Sequence, residues 1–219
     1  MLAGAGMGNI FISMMCVALF QGMNGALETL ISQSIGASGF NSLGTKSLAV
    51  VYLNRGRILI FAAFLPVIVF LWNVDKALLA LGQDPITSKY ARDYIVVQIP
   101  GLLMQAQFDC VMRYLSAYQK SHIPMMTQLV STALHVFWCH LFVVRLSLGV
   151  TGASIAICIT YTSNFIALFL YTCLFDGEES RIWTINRQAF KDFASYLKLG
   201  VPGTLMIMMD IWCYEIITL

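Results

Sequence analysis

Six long apolar stretches occupy almost the whole chain, at 5–33, 49–72, 94–117, 124–146, 150–175 and 196–219, joined by short connections. A helix needs roughly 20 residues to cross about 30 Å of hydrocarbon. Six crossings therefore account for most of the 219 residues and leave no room for a separate soluble domain. The composition agrees, with 58% hydrophobic and 11% charged residues and a mean hydropathy of +0.76, against roughly 25% charged in a soluble domain. Backbone groups in lipid must be bonded within the segment, and none of these runs has the short alternating pattern of a barrel strand. The expected class is all-α: a polytopic helical membrane protein with about six transmembrane helices. Pro66, Pro100 and Pro202 lie inside spans and predict kinks, whereas Gly36 and Gly39 follow the first span and Pro85 is read as a loop residue.

The basic residues set the expected orientation. If 37–57 is cytoplasmic, that side collects Lys46, Arg55, Arg57, Arg113, Lys120, Arg181, Arg187, Lys191 and Lys198, leaving Lys76, Lys89, Arg92 and Arg145 outside. Nine against four favours this placement. The 73–93 loop is then external. The 176–195 stretch, with Asp176, Glu178, Glu179 and Asp192, reads as a hydrated cytoplasmic linker between two halves. The net charge of +2 is scattered along helix ends, so nucleic acid is not an expected partner. No Lys or Arg precedes Lys46 and the first apolar run outlasts a signal peptide, so that segment is expected to stay in the membrane. Cys16, Cys110, Cys139, Cys158, Cys173 and Cys213 fall singly in apolar runs and read as small buried hydrophobes, with no metal site and no cofactor.

Polar residues inside apolar helices carry the functional signal. Gln21, Asn24, Glu28 and Ser32 fall on one face of the first span, beside Gly22 and Gly25, so that face must meet another helix or a wet cavity. The third span repeats the pattern with Gln98, Gln105, Asp109 and Arg113, and the last two can pair one turn apart. In the fourth span Gln128, Ser131, Thr132 and His135 share a side. His135 reads as a hydrogen-bonded core residue, and the five-residue spacing to His140 turns the two imidazoles too far apart for a metal. The last span holds Asp210 and Glu215 with no Lys or Arg between residue 199 and the end. Unpaired acids at bilayer depth are costly, so these two are read as protonated or cation-binding, on an ion or substrate path. The alternative is that Glu215 reaches the interface and Asp210 is partnered elsewhere. No GxSxG, HExxH or paired catalytic aspartates occur, so no catalytic residues and no enzyme activity are expected.

Six strings, in order, carry a family resemblance: ALETLISQSIGA at 26–37, VYLNRGR at 51–57, LLALGQDP at 78–85, RYLSAYQKSHIP at 113–124, LGVTGASIA at 148–156 and LKLGVPGTLMIMMDIWCYE at 197–215. Together they resemble the multidrug and toxic compound extrusion (MATE) family of secondary transporters, in its eukaryotic branch. The resemblance implies a partial MATE-type bundle of the MOP superfamily. Residues 1–175 would be N-lobe helices, the family's second to sixth, 176–195 the inter-lobe linker, and 196–219 the first helix of the C-lobe. The family's first helix and last five would lie outside the chain, so a fragment or incomplete gene product is expected.

The resemblance also implies export of organic, often cationic, compounds against protons, or sodium in other branches, by alternating access in a plasma or vacuolar/endomembrane bilayer. Asp210 and Glu215 occupy the two acid positions of the family's seventh-helix motif, with Trp212 and Tyr214 between them, although the family usually has glutamate at the first and an aromatic where Ile211 stands. These acids are the implied cation or proton coupling pair. Trp212 and Tyr214, with Gln21, Asn24 and Glu28, are the implied substrate contacts, and Gln33 belongs to the same signature as Glu28. The competing readings are a flippase of lipid or lipid-linked substrates in the same superfamily, which would want a more cationic cavity, and a truncated membrane protein that transports nothing.

Overall fold

Every element among the described residues is helical, as the need to satisfy backbone groups in lipid demands. The computed structural model describes residues 2–38, 43–174, 182–184 and 187–218. Helix α1 (Leu2–Ile12) passes through a π-helical segment, Ser13–Val17, into α2 (Ala18–Ser38) without a break. The first span is thus longer than 5–33. Helix α3 (Leu43–Trp72) leads to the short α4 (Val74–Ala80), then α5 (Pro85–Ala117), α6 (His122–Cys139) with a π-helical end His140–Arg145, α7 (Gly149–Leu174), a 3₁₀ turn Arg187–Phe190, and α8 (Phe193–Thr218). Pro66, Pro100 and Pro202 each sit inside a helix that runs on past them. Among the described residues, five helices are long and apolar enough to cross a membrane. The 26-residue α8 is the sixth long helix among the described residues.

The external loop expected at 73–93 is mostly helix. Gly82, at φ +81°, ends α4: the Gln83 amide donates to the Leu78 carbonyl and the Gly82 amide to the Leu79 carbonyl, a reversal that needs a residue free of a Cβ. Asp84 then caps α5, its carboxylate accepting from the Thr87 amide at 3.0 Å, and Pro85 takes the first helical position where its missing N–H costs nothing. Pro85 therefore opens a helix rather than sitting in a loop.

Two close crossings position the site. On α5, a Cβ at Gly101 would come 2.8 Å from the Cys158 Cα of α7; on α2, one at Gly22 would overlap the Thr204 backbone of α8. Small residues let backbones approach in this way, which is how membrane helices gain dispersion contact when lipid offers no hydrophobic drive. Tyr196, fully buried at the start of α8, donates its hydroxyl to the Met23 carbonyl at 2.7 Å and locks the register of the α2–α8 pair. Helix α6 turns Met125, Met126, Leu129 and Val130 outward, an apolar face suited to lipid. Cys16 and Cys110 are buried as expected; Cys173 and Cys213 are exposed on their helices, because a membrane protein can present an apolar thiol to hydrocarbon.

The described residues of 176–195 are mostly exposed, and several of them are tied to α3. Asn54 donates to the Thr184 carbonyl at 2.9 Å, Arg55 lies 3.8 Å from Asp192 and donates to the Gln188 carbonyl, and the Arg57 guanidinium sits 4.4 Å over the Trp183 ring. Trp183 in turn donates to Thr172 on α7, with Ile182 and Ala189 buried beneath. The basic run NRGR of α3 thus holds the segment down. Asp176, Glu178, Glu179 and Arg181 lie outside the described residues.

Candidate functional site

The polar faces of α1–α2 and α5 meet around a cavity of about 370 Å³. Asn9, Ser13 and Gln21 line it from the first span and Gln98, Gln105 and Asp109 from α5, while α7 contributes Tyr161. The arrangement follows from helix geometry: residues seven and four apart on α5 fall on one face, and an amide or carboxyl cannot be left facing lipid. Asp109 is the sole charged residue among those lining the cavity. Its Oδ1 accepts from Gln105 Nε2 at 2.9 Å.

The expected Asp109–Arg113 pair does not form. Arg113 reaches across to α2 instead and donates to Glu28 at 2.6 Å. A local four-residue spacing made the first partner available, but the parallel packing of α2 on α5 brings Glu28 level with Arg113, and a charge-assisted bond between two long side chains wins over a short aspartate on the same helix. Both partners are over a third exposed, so the pair contributes no more than about 1 kcal/mol. A double-mutant cycle of Glu28→Gln and Arg113→Gln on thermal stability in detergent should return a coupling of that size; a coupling of zero would remove the pair from the account.

Of the residues expected at the site, Gln21 lines the cavity. Asn24 is 1% exposed and accepts from the Cys110 thiol at 3.3 Å, so it belongs to the α2–α5 contact, with no surface left for a substrate. Glu28 is held by Arg113, and Ser32 and Gln33 face outward. His135 uses both ring nitrogens, at 2.8 Å from Thr160 Oγ1 and 3.2 Å from Cys139 Sγ, which ties α6 to α7 as a core histidine should.

Helix α8 stands apart from the cavity. Asp210 is exposed and forms no hydrogen bond or ion pair among the described residues; Leu205, Met206 and Met209 on the same helix are exposed with it. Glu215 is partly buried and Tyr214 is 73% exposed. The Trp212 indole donates to the Met14 carbonyl at 3.2 Å. That acceptor lies in the π-helical segment, where the shift from four- to five-residue bonding loosens carbonyls from the regular ladder. The segment therefore gives α8 a second anchor, beyond Tyr196, one turn from the acids.

A bundle of long apolar helices with a polar cavity, and an acid-bearing helix crossing closely on one side, is matched by a known family. The sequence model described as MatE aligns with residues 1–141. The chain belongs to the MatE family. Among its relatives, Protein DETOXIFICATION 16 of Arabidopsis thaliana is 28% identical over 219 residues, covering all of this chain and 44% of that protein. Multidrug and toxin extrusion protein 1 of Oryctolagus cuniculus is 28% identical over 205 residues, or 94% of this chain and 35% of the relative. The crystal structure of the eukaryotic MATE transporter AtDTX14 superposes with a TM-score of 0.85 at 26% identity, over 99% of this chain and 47% of that one. The chain thus spans less than half the length of the relatives it matches. Membership makes it a multi-pass integral membrane protein of a family of transporters, not of enzymes.

Proposed function

We propose that this MatE chain forms the N-terminal lobe and the opening helix of a secondary transporter that exports organic cations in exchange for protons. In this reading 1–175 is the lobe, 176–195 the linker strapped to α3, and 196–219 the first helix of a second lobe that rocks against the first. Asp210 is the main exchange site: ionised it holds a cation, protonated it lets the cation go, which supplies the differential affinity that alternating access requires. Glu215 is a second acid that tunes it, Trp212 and Tyr214 offer aromatic faces to a cation, and Gln21, which lines the cavity beside Asn9 and Ser13, meets substrate. The observation that carries this reading is Asp210, an exposed acid with no hydrogen bond or ion pair among the described residues, in the apolar run Leu205–Met209 of α8. A single carboxyl suffices to carry a proton, whereas a bare alkali cation needs several oxygens around it.

The test is transport by the complete two-lobe protein, of which this chain is one part in this reading, reconstituted into liposomes. A pH gradient should drive a fluorescent organic cation against its own gradient, and a protonophore should stop it. A sodium gradient of equal size should drive nothing. Accumulation that follows sodium, or flux equal to that of protein-free liposomes, would defeat the proposal.

A further inference from the structure

One of the six cysteines has a histidine within hydrogen-bonding reach among the described residues. Cys139, half-buried in the last turn of α6, holds its Sγ 3.2 Å from His135 Nε2 in the preceding turn, and His135 Nδ1 lies 2.8 Å from Thr160 Oγ1 on α7. The other thiols are placed differently. Cys16 and Cys110 are buried, and Cys110 donates to an amide oxygen, Asn24 Oδ1. Cys158 packs where α5 and α7 cross at Gly101, and Cys173 and Cys213 are exposed with no side-chain hydrogen bond among the described residues. None of Cys139, His135 and Thr160 lines the cavity or belongs to the acid-bearing helix.

The direction of each bond follows from counting protons. A hydroxyl has one to give, and Thr160 donates it to the Ala156 carbonyl at 2.8 Å, one turn back on α7. Thr160 Oγ1 therefore accepts from the His135 Nδ1–H. A neutral imidazole carries a single N–H, so Nε2 keeps its lone pair and accepts from the Cys139 thiol. A nucleophile, a base in contact with it and a third group that orients the base form the arrangement that activates a weak nucleophile. Because the thiol proton already faces the lone pair, a thiolate need form only as the sulfur attacks, which suits a site with no standing charge.

The surroundings select the reagent. Val136 and Phe137, beside Cys139 on the same helix, are 69% and 57% exposed, an outward apolar face suited to hydrocarbon. An apolar reagent concentrates there, whereas a charged one must leave water to arrive.

We propose that Cys139 is a covalent modification site for apolar electrophiles dissolved in the bilayer, of the α,β-unsaturated carbonyl class, with His135 as the base. The sulfur adds to the β-carbon: one C–S bond forms as the C=C π pair shifts towards the carbonyl oxygen. The thiol proton passes to His135 Nε2 and from the imidazolium to the α-carbon. The sum is addition of S–H across C=C, with no oxidant and no leaving group. The adduct leaves His135 Nε2 without its donor at the α6–α7 contact.

The experiment treats the full-length protein in nanodiscs with a limiting amount of 4-hydroxynonenal and follows adduct formation at each cysteine by peptide mass spectrometry. Cys139 should react about tenfold or more faster than Cys173 and Cys213, although those two are more exposed. His135→Gln should slow Cys139 by about tenfold or more while leaving Cys173 and Cys213 unchanged, the loss of general-base assistance. Thr160→Val should slow it in part, and Thr160→Ser, which keeps the acceptor, should restore the parent rate. The ordering of thiols in the unaltered protein needs no variant to fold. Cys139 reacting no faster than Cys173, or His135→Gln protein labelled at Cys139 at the parent rate, overturns the proposal. The readout is adduct mass, so the site and the exporter reading can fail separately.

Discussion

Gly22→Val should abolish the accumulation of folded protein. A Cβ at Gly22 would overlap the Thr204 Cα and come 2.7 Å from the Thr204 amide nitrogen, so the obstruction is backbone and cannot rotate away. On the same crossing a Cβ at Gly200 would lie 3.0 Å from Met23 Sδ and one at Gly203 3.5 Å from the Gly22 carbonyl oxygen, leaving no direction in which α8 could shift to make room cheaply. Inserting methyl groups into an ordinary packed core costs about 1–3 kcal/mol through side-chain rearrangement. Here the helices themselves must part, breaking the Tyr196–Met23 bond and the Trp212–Met14 bond that pin the two ends of the contact, and the expected cost exceeds about 3 kcal/mol. Gly25, one turn along the same helix, has nothing within 4 Å of its would-be Cβ, so Gly25→Ala is the matched control and should fold as the parent does. Size-exclusion chromatography and thermal unfolding in detergent read both. A Gly22→Val protein as stable as the parent would mean that α2 and α8 do not cross this closely.

Apolar length was enough to read the helices, because the requirement it reports, satisfying the backbone across hydrocarbon, is local to each segment. The start of α5 was harder. Lys89, Arg92 and Asp93 make residues 85–93 look like a hydrated loop, although the signal of a helix start was present in the pair Asp84 and Pro85. The Arg92 charge is absorbed by tertiary contacts: it donates to the Trp72 carbonyl at 3.0 Å and approaches Asp75 at 3.9 Å. The stripes Gln21–Asn24–Glu28 and Gln98–Gln105–Asp109 were legible as faces that avoid lipid, yet nothing in a single sequence pairs residue 28 with residue 113, or tells a cavity-lining Gln21 from a packed Asn24 three positions on. Those assignments depend on how far α2 slides along α5. Asn9 and Ser13 lie one turn apart on the first span and Tyr161 within the polar run 160–164 of α7, so polar signals were present, but a single sequence does not tell which of them turn to the cavity and which to a neighbouring helix. The strap of Asn54, Arg55 and Arg57 over Trp183 was visible only as a basic run, which reads equally well as an orientation signal.

In the complete two-lobe protein, Asp210→Asn should reduce pH-driven export to the level of protein-free liposomes while leaving membrane insertion and folding intact. The two halves of that expectation have separate physical grounds. Folding should be untouched because Asp210 is exposed and makes no hydrogen bond or ion pair among the described residues, and because α8 is held by Tyr196, Thr204 and Trp212 rather than by the acid. An amide is also cheaper than a carboxylate at bilayer depth, so insertion gains if it changes at all. Export should fail because an amide has the shape of the acid but no second protonation state. A transporter can be driven only by a ligand whose affinity differs between its states, and Asn removes the difference for protons and cations alike. Asp210→Glu, which restores the longer acid usual in the family, should keep coupling; Glu215→Gln should shift the pH at which export is half-maximal without removing it. Export by Asp210→Asn at the parent rate would move the coupling elsewhere in the molecule, with Asp109 the first carboxyl to examine.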